Sequence, residues 1–182
     1  MAVVAPRKPN QDLTKKRLDR QAIEDKALSY LDRFDASAAR LRRVIEQFVR
    51  RRAKELELDP APYLALVSEV IARYEQVGLV DDRRFGAMMA RGLAERGASR
   101  RAIKAKLFGR GISAPIVEEV IASLGQKAGS ELDAARALVR KRHLGNYRAP
   151  GDRRENYRRD LGVLARAGFD FETARAALSV EG

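Results

Sequence analysis

Residues 97–125 read GASRRAIKAKLFGRGISAPIVEEVIASLG, and their punctuation decides the fold. Gly97, Gly111 and Gly125 mark stops, and Ser99 and Ser113 each stand two residues after a glycine, just ahead of a new apolar run. Glycine closes a helix by taking the left-handed conformation, and a serine hydroxyl at the next start accepts one of the free backbone N–H groups. The stretch therefore predicts helices over about 99–109 and 113–124, following one over 82–96. Nowhere in the chain do four or more residues alternate cleanly with β-branched enrichment, so no sheet is expected.

Working outward, the same joint returns. Gly168-Phe169-Asp170 repeats Gly111-Ile112-Ser113: a glycine, an apolar residue for the core and a cap. Arg40-Leu41, Lys106-Leu107 and Arg159-Asp160-Leu161 each set a cation before the apparent core leucine of a second helix. Apolar stripes at a period near 3.6 fill the N-terminal part: Ala27, Leu28, Leu31 and Phe34; Leu41, Val44, Ile45, Phe48 and Val49; Leu64, Val67, Val70, Ile71 and Tyr74. Asp59-Pro60 reads as a cap before a first-turn proline, and Gly78 as a left-handed stop. Ser130 with Asp133, and Asp152 with Glu155, have the spacing of reciprocal caps.

The expectation is an all-α protein of three tandem three-helix units. A basic N-terminal extension (1–24) precedes a first unit (25–80) with helices near 25–34, 37–56 and 59–77. A second unit follows (81–125), then a third (126–182) with helices near 130–143, 153–167 and 170–179. Units of about 45 residues are small for independent cores, so neighbours should stack or be held in line by a linking helix. The first unit departs from the others. Its second helix, ARLRRVIEQFVRRRAKEL, is long and has no glycine stop before Asp59.

Composition narrows the chemistry. The 182 residues carry 37 basic and 25 acidic side chains, a net charge of +12, with 45% hydrophobic and 34% charged residues. That is too apolar for a disordered tail and too charged for a membrane protein. Cysteine is absent and His143 is the single histidine, which removes disulfides, thiolate sites and the usual zinc and triad arrangements. No apolar run approaches the roughly 18–20 residues of a membrane span, and the N-terminus has the wrong order for a secretory signal. No Walker-type loop is present. No catalytic residue, metal ligand or cofactor is expected, and the cytoplasm is the default location.

The positive charge is spread along the chain. Only residues 59–82 are acidic, with five acids to one base, whereas residues 83–124 hold nine bases to three acids. Distributed positive potential favours a long polyanionic partner, against the plainer reading of solvated helix faces. On the long helix Arg43 and Arg50 lie two turns apart on one face with Lys54 a turn further. In the second unit Arg91, Arg96, Arg100, Arg101, Lys104, Lys106 and Arg110 fall in a region with no acid between Glu95 and Glu118. Arg100, Arg101 and Lys104 begin a helix, where the dipole disfavours cations, which argues for an external use. Asp81-Asp82 and Glu118-Glu119 read as helix-start carboxylates rather than metal pairs. The six phenylalanines sit mostly at core spacings. Tyr147 and Tyr157 flank the basic stretch 146–159 and are the plausible base stackers, with loop or core packing as their other use.

Gly78-Leu79-Val80-Asp81-Asp82 followed by Phe85, then Arg91, Arg96-Gly97, Ser99-Arg100-Arg101, Ile103, Leu107 and Arg110-Gly111-Ile112, form a recognisable pattern. Ala27-Leu28, Tyr30-Leu31, Ser37 and Arg40-Leu41 extend it N-terminally. On these residues the chain resembles the RecX family, small bacterial regulators of the RecA recombinase, well over 25–125 and loosely in the third unit. Leu79 stands where the family usually has an aromatic, and the third unit carries a long loop near 144–153. The resemblance implies an elongated, curved, monomeric, non-enzymatic protein of recombination, DNA repair and the SOS response. Such proteins lie in the groove of the RecA–DNA filament and restrain its growth, ATP hydrolysis, strand exchange and co-protease action. The residues expected to meet acidic filament surface, or single- or double-stranded DNA, are Arg43, Arg50, Arg91, Arg96, Arg100, Arg101, Lys104, Arg110 and Arg142. A helical-repeat nucleic-acid-binding module with no recombinase partner is the alternative, and an inert helical scaffold is a third.

Overall fold

Leu18, Ile23 and Ala27 are all buried, and that burial extends the first helix beyond the sequence expectation. The computed structural model describes residues 17–127 and 131–179. Its first helix, α1, spans Arg20–Leu31, with the Asp19 carboxylate accepting the Ala22 N–H at 2.9 Å. The start anticipated at Asp25 is thus five residues late, because Asp19 supplies a cap that the apolar stripe alone did not reveal. Most of the anticipated N-terminal extension, residues 1–16, lies outside the described residues, as does the Ser130 cap.

Every regular element among the described residues is helical. In the compact unit ending at Asp81, α1 packs with α2 (Ala38–Glu55) and α3 (Ala61–Gln76). Ile23 and Ala27 of α1 meet Leu41, Ile45, Val49 and Ala53 of α2 and Val67, Val70, Ile71 and Tyr74 of α3. Each fully buried large aliphatic side chain contributes about 1.5–3 kcal/mol here. Glu24 lies between Arg20 and Arg73, at 3.9 and 3.7 Å, and Arg20 also pairs with Glu69. The Asp59 carboxylate accepts the Ala61 N–H at 3.0 Å, and Gly78 takes φ +70 after α3, as the sequence indicates.

The missing glycine before Asp59 has a replacement. Glu57 itself adopts φ +53, and Leu58 N–H returns to the Ala53 carbonyl at 2.9 Å, so a non-glycine residue closes α2. The left-handed conformation costs an L-residue about 1–2 kcal/mol, part of which glycine would recover. Glu57→Gly is therefore expected to stabilise this bundle by about 0.5–1 kcal/mol, read as a higher urea midpoint. A lower midpoint would show that the Glu57 side chain supplies more than the strain removes.

The second compact unit, from Asp82, contains two further bundles. The first is α4 (Asp82–Glu95), α5 (Arg100–Gly109) and α6 (Ala114–Lys127), packed around Ala90, Ile103, Leu107, Ile112, Val117, Val120, Ile121 and Leu124. Gly86 lets α4 approach α6 closely, since a Cβ there would sit 3.3 Å from Ile112 and 3.4 Å from Val120. Gly125 does not end α6, which runs to Lys127. Glycine weakens a helix interior by only about 1 kcal/mol and need not terminate it.

The second of these bundles is α7 (Glu131–Lys141), a 3-10 turn at Gly145–Tyr147, α8 (Pro150–Arg166) and α9 (Phe171–Leu178). Its core is Ala135, Leu138, Val139, Leu144, Leu164, Phe169, Ala174, Ala177 and Leu178. Leu161 only packs against this core and Leu164 is the fully buried leucine of α8. The cap anticipated from Asp152 and Glu155 is not made. Pro150 starts α8 three residues earlier than anticipated, its fixed φ suiting a first helical position, and Asp152 falls inside the first turn. The Asp170 cap forms as read, accepting Thr173 N–H at 2.8 Å, a bond that holds its carboxyl below the usual range.

Within this compact unit the two bundles are joined. Ser99 is fully buried; its hydroxyl accepts the Ala102 N–H at 3.1 Å and donates to the Ala167 carbonyl at 2.6 Å. A Cβ on Gly97 would lie 3.0 Å from the Ala134 carbonyl, so the end of α4 lies close against α7.

Candidate partner-binding surface

The outward face of α2 is built by exclusion. Leu41, Ile45, Val49 and Ala53 claim one side of the helix for the core, and Arg43, Gln47, Arg50 and Lys54 share the opposite side. Arg42 and Arg52 flank the core and are absorbed internally, Arg42 donating to Ser68 Oγ at 2.8 Å and Arg52 pairing with Glu55 at 2.8 Å. Arg51 also reaches Glu55, at 3.8 Å. Arg43, Arg50 and Lys54 are exposed and make no ion pair or hydrogen bond among the described residues. From Arg43 to Lys54 this stripe runs about 16 Å along the axis.

On α4 the exposed side carries Arg84, Met88, Arg91 and Glu95, at the i, i+4, i+7, i+11 positions of one face. Arg91 is exposed without an ion pair, and Arg96 folds its guanidinium back over Gly92 while remaining exposed. Met88 stands between Arg84 and Arg91, 43% exposed.

The cations of α5 divide. Arg101, Lys104 and Phe108 share one flank; Lys106 and Arg110 lie on the other, so the anticipated set does not form one patch. Two of the three cations that begin this helix are compensated within the chain. Arg100 pairs with Glu131 at 3.5 Å and its backbone N–H donates to the same carboxylate at 3.0 Å. Lys104 pairs with Glu118 at 2.7 Å. The dipole argument for an external use therefore survives only for Arg101, which is exposed and has no ion pair. Glu118 and Glu119 are not helix-start caps: α6 begins at Ala114, which puts them a turn inside, where they bind Lys104 and Arg83. Arg142 is exposed just beyond the end of α7.

Sequence spacing also misplaced three phenylalanines. Phe34, Phe108 and Phe171 are 55%, 48% and 62% exposed. Phe34 and Phe171 sit at helix ends where the chain turns off the core, and Phe108 is rotated 100° from the buried Leu107. Phe108 and Met88 belong with the cations around them, and their exposure is not legible from sequence. Arg154 and Arg158, also outside the anticipated set, are exposed on α8 at i, i+4.

These features define a class: tandem three-helix bundles whose exposed faces carry cations and apolar side chains. Among the described residues no group of His, Cys, Asp or Glu is arranged to hold a metal ion, and no helix is long and apolar enough to cross a membrane. The family model for the second three-helix domain of RecX matches residues 81–121, the bundle of α4 to α6. The regulatory protein RecX of Myxococcus xanthus (strain DK1622) is 38% identical over 157 residues, covering 86% of this chain and 83% of that protein. The regulatory protein RecX of Halorhodospira halophila (strain DSM 244 / SL1) is 33% identical over 157 residues, covering 86% of each. That of Mycobacterium avium (strain 104) is 37% identical over 101 residues, 55% of this chain and 57% of its own. The chain belongs to the RecX family of non-enzymatic regulatory proteins.

Proposed function

We propose that this chain binds the RecA–DNA filament in the cytoplasm and restrains it, lowering ATP hydrolysis, strand exchange and co-protease action. The observation that carries the reading, within a RecX chain, is the mixed character of the α4 and α5 faces. Exposed Met88 lies between Arg84 and Arg91 on α4, and exposed Phe108 lies on the flank of α5 that also carries Lys104 and, two turns away, Arg101. Exposed apolar side chains on faces that also carry cations suit an acidic protein surface better than a bare phosphate ladder, which offers nothing to bury against them. Arg43 and Arg50 add a second cationic face, and several modest contacts on one chain raise avidity through effective concentration. Arg96, Arg110 and Arg142 are proposed to contribute at the margins, and Arg100 and Lys104 to act mainly through their internal pairs.

The test is recombinase ATPase on single-stranded DNA, titrated with this chain well below the DNA concentration. Inhibition is expected in that regime. Arg101→Glu with Arg91→Glu should raise the half-inhibitory concentration about tenfold, a loss of about 1.4 kcal/mol, with circular dichroism unchanged. These positions avoid the Glu131 and Glu118 pairs, so a weaker effect cannot be blamed on a broken internal contact. Inhibition seen only once the chain saturates naked DNA, and steeply reduced by salt, would instead favour the nucleic-acid-binding module.

A further inference from the structure

The C-terminal end of α1 leaves apolar surface uncovered. Leu28 and Leu79, 47% and 41% exposed, line an open groove of about 560 Å³ together with Ser29, Leu31 and Asp32. All five residues belong to the compact unit that ends at Asp81. Ala27 faces the core, so Leu28 is rotated 100° off it. Leu79 is carried out of α3 by the turn at Gly78, which has φ +70.

The rim of the groove is anionic. Asp25, Leu28 and Asp32 stand at i, i+3 and i+7 on one face of α1, and Lys26 lies on the opposite side. Glu24, a turn before Leu28, is held by Arg20 and Arg73. A helix C-terminus favours cations, yet α1 has no base in its last turn and ends on Asp32. The Asp32 carboxylate has no ion pair among the described residues, and the exposed Arg33 follows it in the turn. An apolar groove edged by carboxylates is complementary to an occupant that is both apolar and basic.

A separate basic protein would be repelled by the net charge of +12 on this chain, a barrier that a tethered segment does not have to cross. Residues 1–16, outside the described residues, have the required composition. Ala2-Val3-Val4-Ala5 is followed by Arg7 and Lys8, and the segment holds four bases to one acid. Its length suffices. Thirteen residues lead from Val4 to Arg17, at most about 45 Å of chain, whereas Leu28 lies about 12 Å along the helix axis from Arg20. Tethering at this range supplies an effective concentration in the millimolar range, so modest contacts are enough to close the groove.

We propose that the groove is the seat of the chain's own N-terminal segment, with Val3 and Val4 against Leu28, Leu31 and Leu79, and Arg7 or Lys8 pairing with Asp32. The contact is intramolecular, goes beyond filament regulation and is tested without any recombinase. The chain has no cysteine, so Ala2→Cys gives a single attachment point for a nitroxide spin label. In the full-length, ¹⁵N-labelled protein the label should broaden the amide signals of residues 28–32 and 79 in preference to the rest, and reducing the nitroxide should restore them. Val3→Asp with Val4→Asp should abolish that selective broadening. These two substitutions lie outside the folded cores, so the remaining amide signals should keep their positions. Asp32→Lys should lower the docking equilibrium constant about two- to fivefold, the scale of an exposed ion pair. The proposal is overturned if the broadening spreads evenly over the surface, or if it survives Val3→Asp with Val4→Asp. It is also overturned if the broadening is equally strong when the spin label is carried only by ¹⁴N chains mixed with unmodified ¹⁵N chains, which would make a second copy the occupant.

Discussion

Asp160→Ala is expected to unfold the bundle of α7 to α9 at a markedly lower urea concentration, with a loss of about 3 kcal/mol. The carboxylate has no exposed surface and accepts three hydrogen bonds, from Gly145 N–H and twice from Arg148. Removing it strands the Gly145 N–H and leaves the Arg148 guanidinium without its partner. The Arg148 side chain is 26% exposed and can turn partly to water, which places the loss at the lower end for a broken buried pair. Asp160→Asn, which keeps the shape and loses the charge, should fall between wild type and alanine. Hydrogen exchange would localise the effect: amides of 144–149 should lose protection first, then those of α7 and α9.

The same group sets a pH dependence. Burial alone would raise the Asp160 carboxyl, but the hydrogen bonds from Arg148 and Gly145 and the Arg148 charge outweigh it, and the group is held below its ordinary value. A carboxyl with a lowered folded pKa stabilises fully above its unfolded value of about 3.9, and that stabilisation is lost as pH falls through the folded value. The wild-type bundle should therefore weaken in acid below about pH 4, and Asp160→Ala should remove that part of the acid limb. An identical acid limb in both proteins would show that other carboxylates govern acid unfolding here.

Asp160 also marks where sequence reasoning reached its limit. The joints were legible because glycine and its caps act locally: Gly78, Gly97, Gly111 and Gly168 all take positive φ, and Ser99 and Asp170 cap as their positions imply. The start of α1 was missed because Leu18 and Ile23 belong to a core stripe that only packing assembles. Asp160 reads as one more polar residue in a charged run, and its burial depends on a loop folding back across it. The candidate surface was legible in sign but not in arrangement. Arg43 and Arg50 share a face because helical periodicity alone puts them there. Arg100 and Lys104 find Glu131 and Glu118 only through tertiary approach, over separations of 31 and 14 residues that no local pattern encodes. Phe108 and Met88 are exposed for the same kind of reason.

Gly168→Ala should be the most damaging single methyl group in the chain, at about 2–4 kcal/mol. Gly168 has φ +93, a conformation that costs an L-residue about 1–2 kcal/mol before any contact is counted. Its new Cβ would lie 2.6 Å from the Ser99 hydroxyl oxygen and 3.2 Å from the Arg101 Cβ. Ser99 cannot move aside cheaply, because its hydroxyl both caps α5 through Ala102 N–H and donates to the Ala167 carbonyl. Displacing it forfeits the cap and the bridge together, each typically about 1 kcal/mol. The pair thus makes a prediction that neither residue makes alone. Ser99→Ala removes the obstructing oxygen, so the double variant should be less destabilised than the two single losses added, by about 1 kcal/mol or more in a double-mutant cycle. Strict additivity would mean that the backbone conformation at Gly168, and not the contact with Ser99, carries the cost. Coupling would identify the hydroxyl as the latch between the bundle of α4 to α6 and that of α7 to α9. Hydrogen exchange should then show Gly168→Ala loosening the N-terminus of α5 as well as the start of α9, although the substitution lies 69 residues from Ser99 in sequence.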